Sequence, residues 1–555
     1  MNIIKSTNAA KTFVSIWKTS NTSTGSSTST QVKLPLVATG HYNFTVRWGD
    51  GSKSHITSYE QFEVTHTYNS EGTYTIKITG LIDGWQFNNE GDVLKILDVQ
   101  KWGCLKIGTG TEQLGAFFGC ANLTLNTVND ILNLKGITSL YQLFRGCSSL
   151  STINRINEWD VSEITTLYGT FWGCTNFNDS IGTWDTKNVN SLYLTFYLCE
   201  NFDMSVADWN TSKVTNMQQA FSYCYKFNQP LNTWDTSNVT NMIQTFGRAK
   251  SFNQPLNNWD TSKVTSMYNM FRGSADADAV LVDNMKFNQN ISNWDVSKVT
   301  DFGYMFSFST FYNQPLDTWN MSSAISIRNM FYQCITFNQP LNNWNISNVT
   351  SMAATFQGAS SFNQPLSNWK TSNVVTLANT FCGIYTTFIR YNTFNQDISM
   401  WDISKVTSLQ GTFAVSNSFN QPLNNWDTSN VTSLYQTFLA NSVFNRPLNN
   451  WNTSKVTSVQ QMFLVISNVG GAFNQDLSSW NLSACTNFAN FMASRTASQY
   501  SATNYNNLLI SWASQNIAVG RVTSFGTIKY TSAGLAARNT LTGTKGWTIN
   551  DGGIT

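Results

Sequence analysis

A motif of 25 residues returns down most of this 555-residue chain. Thirteen tryptophans mark it: Trp159, Trp184, Trp209, Trp234, Trp259, Trp294, Trp319, Trp344, Trp369, Trp401, Trp426, Trp451 and Trp480. Nine of their twelve spacings are 25, and the others are 35, 32 and 29. A typical copy reads FNQPLNNWDTSNVTSMxxxF, with a Phe twelve residues after the Trp from Phe171 through Phe463 and Met492 in the last copy. Degenerate copies around Phe118 and Phe144 bring the count to about fifteen. A unit this short cannot bury its own apolar face, so it must pack on its neighbours.

Each copy carries two local signals. The Leu231–Thr236 stretch reads as a short strand, opened by Pro230, because proline cannot donate to a ladder and belongs at a strand's start. Ser237 is placed to cap a helix, and Val239, Met242 and Phe246 follow at i, i+3 and i+7, one helical face. The expected fold is therefore an α/β solenoid: a right-handed, leucine-rich-repeat-like stack of strand–helix units. At a strand spacing of about 4.8 Å, fifteen units would span roughly 70 Å.

The recurring columns read as interior ladders. Trp234, Trp259 and Trp344 stand for the Trp column, and Phe246 and Phe271 for the Phe column. Asn253 and Asn338 represent the Asn of FNQ, whose amide can serve the buried turn of its own coil and the next. The nine cysteines are an odd number. Most share one slot near the anchor Phe, which other copies fill with Ala249 or Ala359, so the slot reads as a small buried residue. Disulfides or metal-bound thiolates are the alternative, and no CxxC pair supports zinc. The residue after Trp is Asp235 in one copy but Asn320 or Lys370 in others, which marks a turn position rather than a working carboxylate.

Three segments break the period: Arg272–Lys286, Cys382–Thr393 and Leu464–Ala472. The Trp-to-Phe distance never changes, so all three fall between the anchor Phe and the next FNQ and should leave one edge of the stack. Such loops commonly form the binding face of repeat proteins. The candidate partner-contact residues are Arg272, Asp276, Asp278 and Asp283 in the first, Tyr385, Phe388, Arg390 and Tyr391 in the second, and Val465 and Asn468 in the third.

Both ends differ from the repeats. Five strand-like runs separated by turns occupy residues 11–81. The motif Trp48-Gly-Asp50-Gly-Ser, with His66-Thr-Tyr68 and Gly72-Thr-Tyr74, resembles the polycystic-kidney-disease (PKD) type β-sandwich domain. Asp50 is read as a tight-turn residue, with a calcium contact the alternative. The domain reading is a segment 1–10, the PKD-like sandwich 11–81, a linker and N-terminal cap 82–113, the solenoid 114–499 and a C-terminal cap 500–555.

The FNQPLxxWDTSxVTxMxxxF unit, from about Leu114 to Met492, resembles the repeat of BspA-like leucine-rich-repeat surface proteins, seen also in mycoplasma lipoproteins. That resemblance implies an extracellular surface protein that mediates adhesion. The start of the chain is too polar for a signal peptide, so a virion or other particle surface is the second location expected. Charged residues are only 12% and net charge is +2, which gives no field for nucleic acid. No apolar run is long enough to span a membrane.

All three histidines, His41, His55 and His66, precede the repeats. Chemistry built on imidazole is thereby excluded from the repeats and the C-terminal segment. No GxSxG, Walker A or GxGxxG motif occurs. No cofactor is expected. The expected function is non-enzymatic recognition or adhesion toward a protein or glycan. The alternative is a structural subunit that assembles into a particle, fibre or filament.

Overall fold

The computed structural model describes residues 11–108, 115–275, 282–283, 285–385, 389–466 and 470–555. The chain divides into two compact units between Val264 and Thr265.

The first unit opens with a sheet ordered β4-β3-β6-β1-β7. These strands are β1 (Thr12–Lys18), β3 (His41–Arg47), β4 (Lys53–Ile56), β6 (Thr73–Asp83) and β7 (Ile96–Lys101). A short β8 (Leu105–Lys106) pairs in parallel with β6, so the sheet continues past residue 81. β2 (Gln31–Lys33) and β5 (Thr65–Thr67) form a separate antiparallel pair. Alternation puts Phe44, Val46, Ile76 and Ile78 inside with Phe13, Trp17 and Trp48. The Ser/Thr-rich segment after β1 is tied down by a buried ion pair. Lys95 Nζ donates to the carbonyls of Ser27, Thr28 and Gln31 at 2.8–2.9 Å and lies 3.4 Å from Asp92. Asp92 in turn accepts from the Ser27 and Lys33 amides at 2.7 Å.

The repeats then begin, and here the expected fold fails. Outside the inserts, the described residues of the repeats contain no α-helix and no strand longer than one bridging residue. The leucine-rich-repeat-like strand–helix solenoid is therefore not what the motif builds. The predicted strand is a turn, closed by the Trp234 amide on Leu231 O at 3.1 Å. The predicted helix is a run of i→i−3 turns. Ala220, Ser222 and Cys224 close on Met217, Gln219 and Phe221. The intervening amides of Met217, Gln219, Phe221 and Tyr223 leave their own coil and donate to Asn241, Ile243, Thr245 and Gly247 of the next. A helix needs every amide for its own i−4 carbonyl, and these are committed elsewhere.

Backbone conformation enforces the choice. The residues two before and two after the anchor Phe take positive φ: Gln219 at 56° and Tyr223 at 62°, then Gln244 at 53° and Arg248 at 61°. A left-handed residue in every few positions cannot propagate a right-handed helix. The parallel sheet reduces to one bridge per coil, as in Ser191↔Asn216 and Asn216↔Asn241.

The second unit repeats this plan. Ile327, Asn329, Phe331 and Gln333 donate to Ser351, Ala353, Thr355 and Gln357. Buried Thr355 bonds at once to Met352 O of its own coil and Ile327 O of the preceding one. Two antiparallel hairpins interrupt the coils: β9 (Ser274–Ala275) with β10 (Val282–Asp283), and β11 (Ile384–Tyr385) with β12 (Ile389–Arg390). After the last coil come helix α1 (Ala502–Ser514), strand β13 (Val522–Ser524), helix α2 (Ser532–Asn539) and strand β14 (Thr548–Asn550). Helix α1 takes the place of a further coil. Ser501 and Asn504 bond to Asn474, while Gln515 bonds to Trp480 O and the Leu482 amide. Trp512 closes the apolar end against Phe488, Phe491, Phe525 and Trp547.

Candidate functional site

The period is spent on bonds between coils. In the first unit, Trp234 and Trp259 donate their indole N–H groups to Val206 O and Leu231 O at 2.9 Å. In the second, Trp344 does the same to Leu316 O at 2.8 Å. Its ring lies 6.2 Å from Trp369, nearly parallel. Phe246 stacks on Phe221 at 5.7 Å, and Phe271 on Phe306 at 5.9 Å. Each such pair contributes about 0.5–1.5 kcal/mol beyond the area it buries. The Asn column bonds the next backbone: Asn228 Oδ1 accepts from the Asn253 amide, and Asn338 Oδ1 accepts from the Asn363 amide and Gln364. After the Trp, Asp235 and Asn320 each accept from the amide two residues on, a turn that carboxylate and amide close equally well.

The sulfur column follows the same logic. Cys174, Cys199 and Cys224 point their thiols at the carbonyls of Phe144, Phe171 and Phe196 at 2.9–3.0 Å. All nine cysteines are free, and burial pushes the column thiols well above their ordinary range. The first anchor is Phe117, buried and stacked on Phe144, whereas Phe118 lies on the outside. Asn238, Asn348 and Asn430, each the first residue of an Asn-Val-Thr triplet, donate from Nδ2 to Ser212 O, Ser322 O and Ser404 O.

The three departures from the repeat length lie in the second unit, where all the inserts leave the stack at one slot, two residues after the anchor Phe. Elsewhere that slot is left-handed, as at Gln333 with φ 55°. In the inserts it holds Gly273, Gly383 and Val465. A Cβ on Gly273 would meet Phe308 O at 2.5 Å, and one on Gly383 would meet Val415 O at 2.3 Å. The glycines therefore let the chain exit close against the next coil.

In the first insert, Arg272 lies over the Tyr304 ring at 5.0 Å, and its Nε is buried without a hydrogen-bond partner. Asp283 sits in β10. Asp276 and Asp278 lie outside the described residues, as do Phe388 and Asn468 in the other two inserts. In the second insert, Tyr385 is 57% exposed. Arg390 pairs across the hairpin with Ile384. Tyr391 turns inward, against a cluster of Cys382, Ala414, Val415, Leu439 and Ala440. Leu464 and Ile466 of the third insert pack on the same cluster. The second and third inserts thus share a footing. Val465 is buried, its amide bonded to Ala493 O at 3.1 Å.

Sequence reasoning missed Arg495, which is wholly buried. Its guanidinium donates to Phe463 O at 2.8 Å and to Gly471 O and Phe473 O at 3.2 Å, pinning both ends of the third insert. Burial lowers its pKa to about 10, so it remains charged at neutral pH. The only sequence signal is an arginine after the last coil, at a slot with no period to expose it.

In the first unit, Asp50 closes the Gly-Asp-Gly turn. Ser52 donates to it from its amide at 2.9 Å and its hydroxyl at 2.5 Å, and His66 Nε2 lies 2.8 Å away. Burial raises the carboxyl, but the bonds from Ser52 and His66 outweigh it and hold it at about 2. The same His66 nitrogen faces both Ser52 and Asp50. A Ser–His–Asp relay needs the carboxylate on the other ring nitrogen, so this cluster is wired as a turn. His66 stacks on Trp48 at 4.8 Å, and the Tyr68 hydroxyl donates to Trp48 O.

No helix among the described residues is long and apolar enough to cross a membrane. Comparison with curated proteins gives no match. Four overlapping stretches, residues 113–222, 192–281, 275–386 and 382–505, match the family described as "Mycoplasma protein of unknown function, DUF285". Together they take in well over half of the chain and all of the coils, so the chain belongs to the DUF285 family of repeat proteins.

Proposed function

We propose that this chain is a non-enzymatic recognition protein that binds a protein or glycan at an exposed surface, with the insert edge of the second unit as its contact. One observation carries the reading: the coils repeat almost without variation, and the three departures from their length all leave at one slot. Two of them share an apolar footing through Tyr391, Leu464 and Ile466, and anchoring of this kind lowers the entropic cost of association. The resemblance to BspA-like surface proteins and the PKD-like reading of residues 11–81 support an extracellular or particle-surface placement. Membership of the DUF285 family is compatible with this and assigns no partner. The test is binding of the purified chain to printed arrays of glycans and cell-surface proteins. Saturable binding to a restricted set is expected; no binding above background on either array would sink the proposal.

A further inference from the structure

A second departure from the period lies in the first unit, on slots that do not change the repeat length. In the first unit, partly exposed side chains stand three residues before the anchor Phe and, in several coils, one or two after it. Three consecutive coils of the second unit hold Ala353, Ala378 and Gln410 three before the anchor, and Gln357 and the buried Cys382 and Ala414 one after it. Small or amide side chains therefore suffice for stacking. The first unit places rings at these slots in consecutive coils; the second unit also has Tyr268, Tyr332 and Tyr435 there.

Tyr141, Tyr168 and Tyr193 form one row, with centroids 4.5 and 4.6 Å apart. Trp172, Tyr197 and Tyr223 form a second, at 5.6 and 5.4 Å. Cations are laid on the rings. Arg145 lies 3.4 Å over Trp172 and 4.4 Å over Phe118, Arg248 lies 4.8 Å over Tyr223, and Lys250 lies 4.0 Å over Tyr225. All the rings of the two rows are partly exposed. The segments that carry these slots, residues 141–149, 168–176, 193–201, 218–226 and 243–251, hold Arg145, Lys226, Arg248 and Lys250 against Glu200 alone.

We propose that this strip is a docking surface for an acidic polypeptide segment. Tyr, Trp and Arg are the residues that carry most of the energy at protein interfaces. Contacts between neighbouring rings and cations hold them in place, so little rotamer entropy remains to be lost on binding. Four cations against one carboxylate select a negatively charged partner and speed its encounter. A protein fits better than a sugar. Stacking on a pyranose needs free ring faces, and here Tyr141 and Tyr168 are parallel within 2° while a guanidinium covers Trp172.

The probe is a fluorescein-labelled random Glu–Tyr copolymer, with polyglutamate and heparin in parallel, against the full chain with its inserts intact. One variant combines Tyr168→Ala, Trp172→Gln, Tyr193→Ala and Tyr197→Gln, residues that the same slots hold elsewhere in this chain. A second carries Lys226→Glu and Lys250→Glu at the polar rim. The copolymer should bind more tightly than polyglutamate and weaken with salt. Each variant should lose at least about tenfold in affinity, with an unchanged circular dichroism spectrum. The inference is overturned if the intact chain does not bind the copolymer, if the folded variants bind it as well as the intact chain does, or if heparin binds the strip more tightly. None of these outcomes bears on the insert edge, which every variant retains.

Discussion

Asn338 shows what a column residue does. Its side-chain oxygen takes the Asn363 amide at 3.0 Å and Gln364 Nε2 at 3.1 Å, so removing it strips a backbone donor of its partner. Asn338→Ala is expected to cost about 1–3 kcal/mol in chemical denaturation. Asn338→Asp keeps the acceptor and should cost much less at neutral pH. Asp203 already plays this part in the first unit, accepting from the Asn228 amide. Equal losses for the two variants would mean that the amide nitrogen, not the oxygen, does the holding. Asp50 makes a different prediction. Its folded pKa of about 2 lies below the ordinary carboxylate value, so the unfolded chain takes up the proton first as pH falls. Its contribution is complete above about pH 4 and is lost as pH drops toward 2. The stability gap between the native chain and Asp50→Asn should therefore close over that window; a gap independent of pH would contradict the wiring of this turn.

At the scale of the element, the columns were legible and the conformation was not. Spacing alone placed the Trp, Phe and Asn ladders inside, because burial at a fixed register is written in residue type. The same spacing also suggested a helix. Val239, Met242 and Phe246 recur as a helical face would, but successive three-residue turns bury the same set. The deciding residues are left-handed and mostly not glycine, such as Gln219, Leu198 and Gln333, so they carry no compositional mark. A signal did exist: glycine occupies one or both of the two slots in several copies, at Gly146, Gly169, Gly173, Gly358 and Gly411, all with positive φ. Gln333→Gly separates the two conformations by sign. In a helix it would cost about 1 kcal/mol, whereas at φ 55° it relieves strain and should leave stability unchanged or raise it by up to about 1 kcal/mol. Far-UV circular dichroism gives a second check. The described α-helices hold 13 and 8 residues, so the spectrum should lack strong minima at the helical wavelengths, which fifteen strand–helix units would produce.

Across the molecule as a whole, labour is divided between what repeats and what does not. Within each unit, periodic residues are spent on neighbouring coils. The first unit adds a sheet before its coils, and the second adds α1, α2 and their strands after them. The position of the inserts was readable from the constant Trp-to-Phe distance. Their shared footing on Val415 and Leu439 was not, because those slots look like ordinary coil positions. The most direct test replaces Arg272–Lys286, Cys382–Thr393 and Leu464–Ala472 each by the five-residue connector Gly247–Ser251. Binding is then measured to whichever array ligand the intact chain retains. The predicted result is a loss of at least about tenfold, with the stack still folded by circular dichroism. Undiminished binding by the folded triple replacement would contradict the claim that the chain recognises its partner through what departs from its repeat.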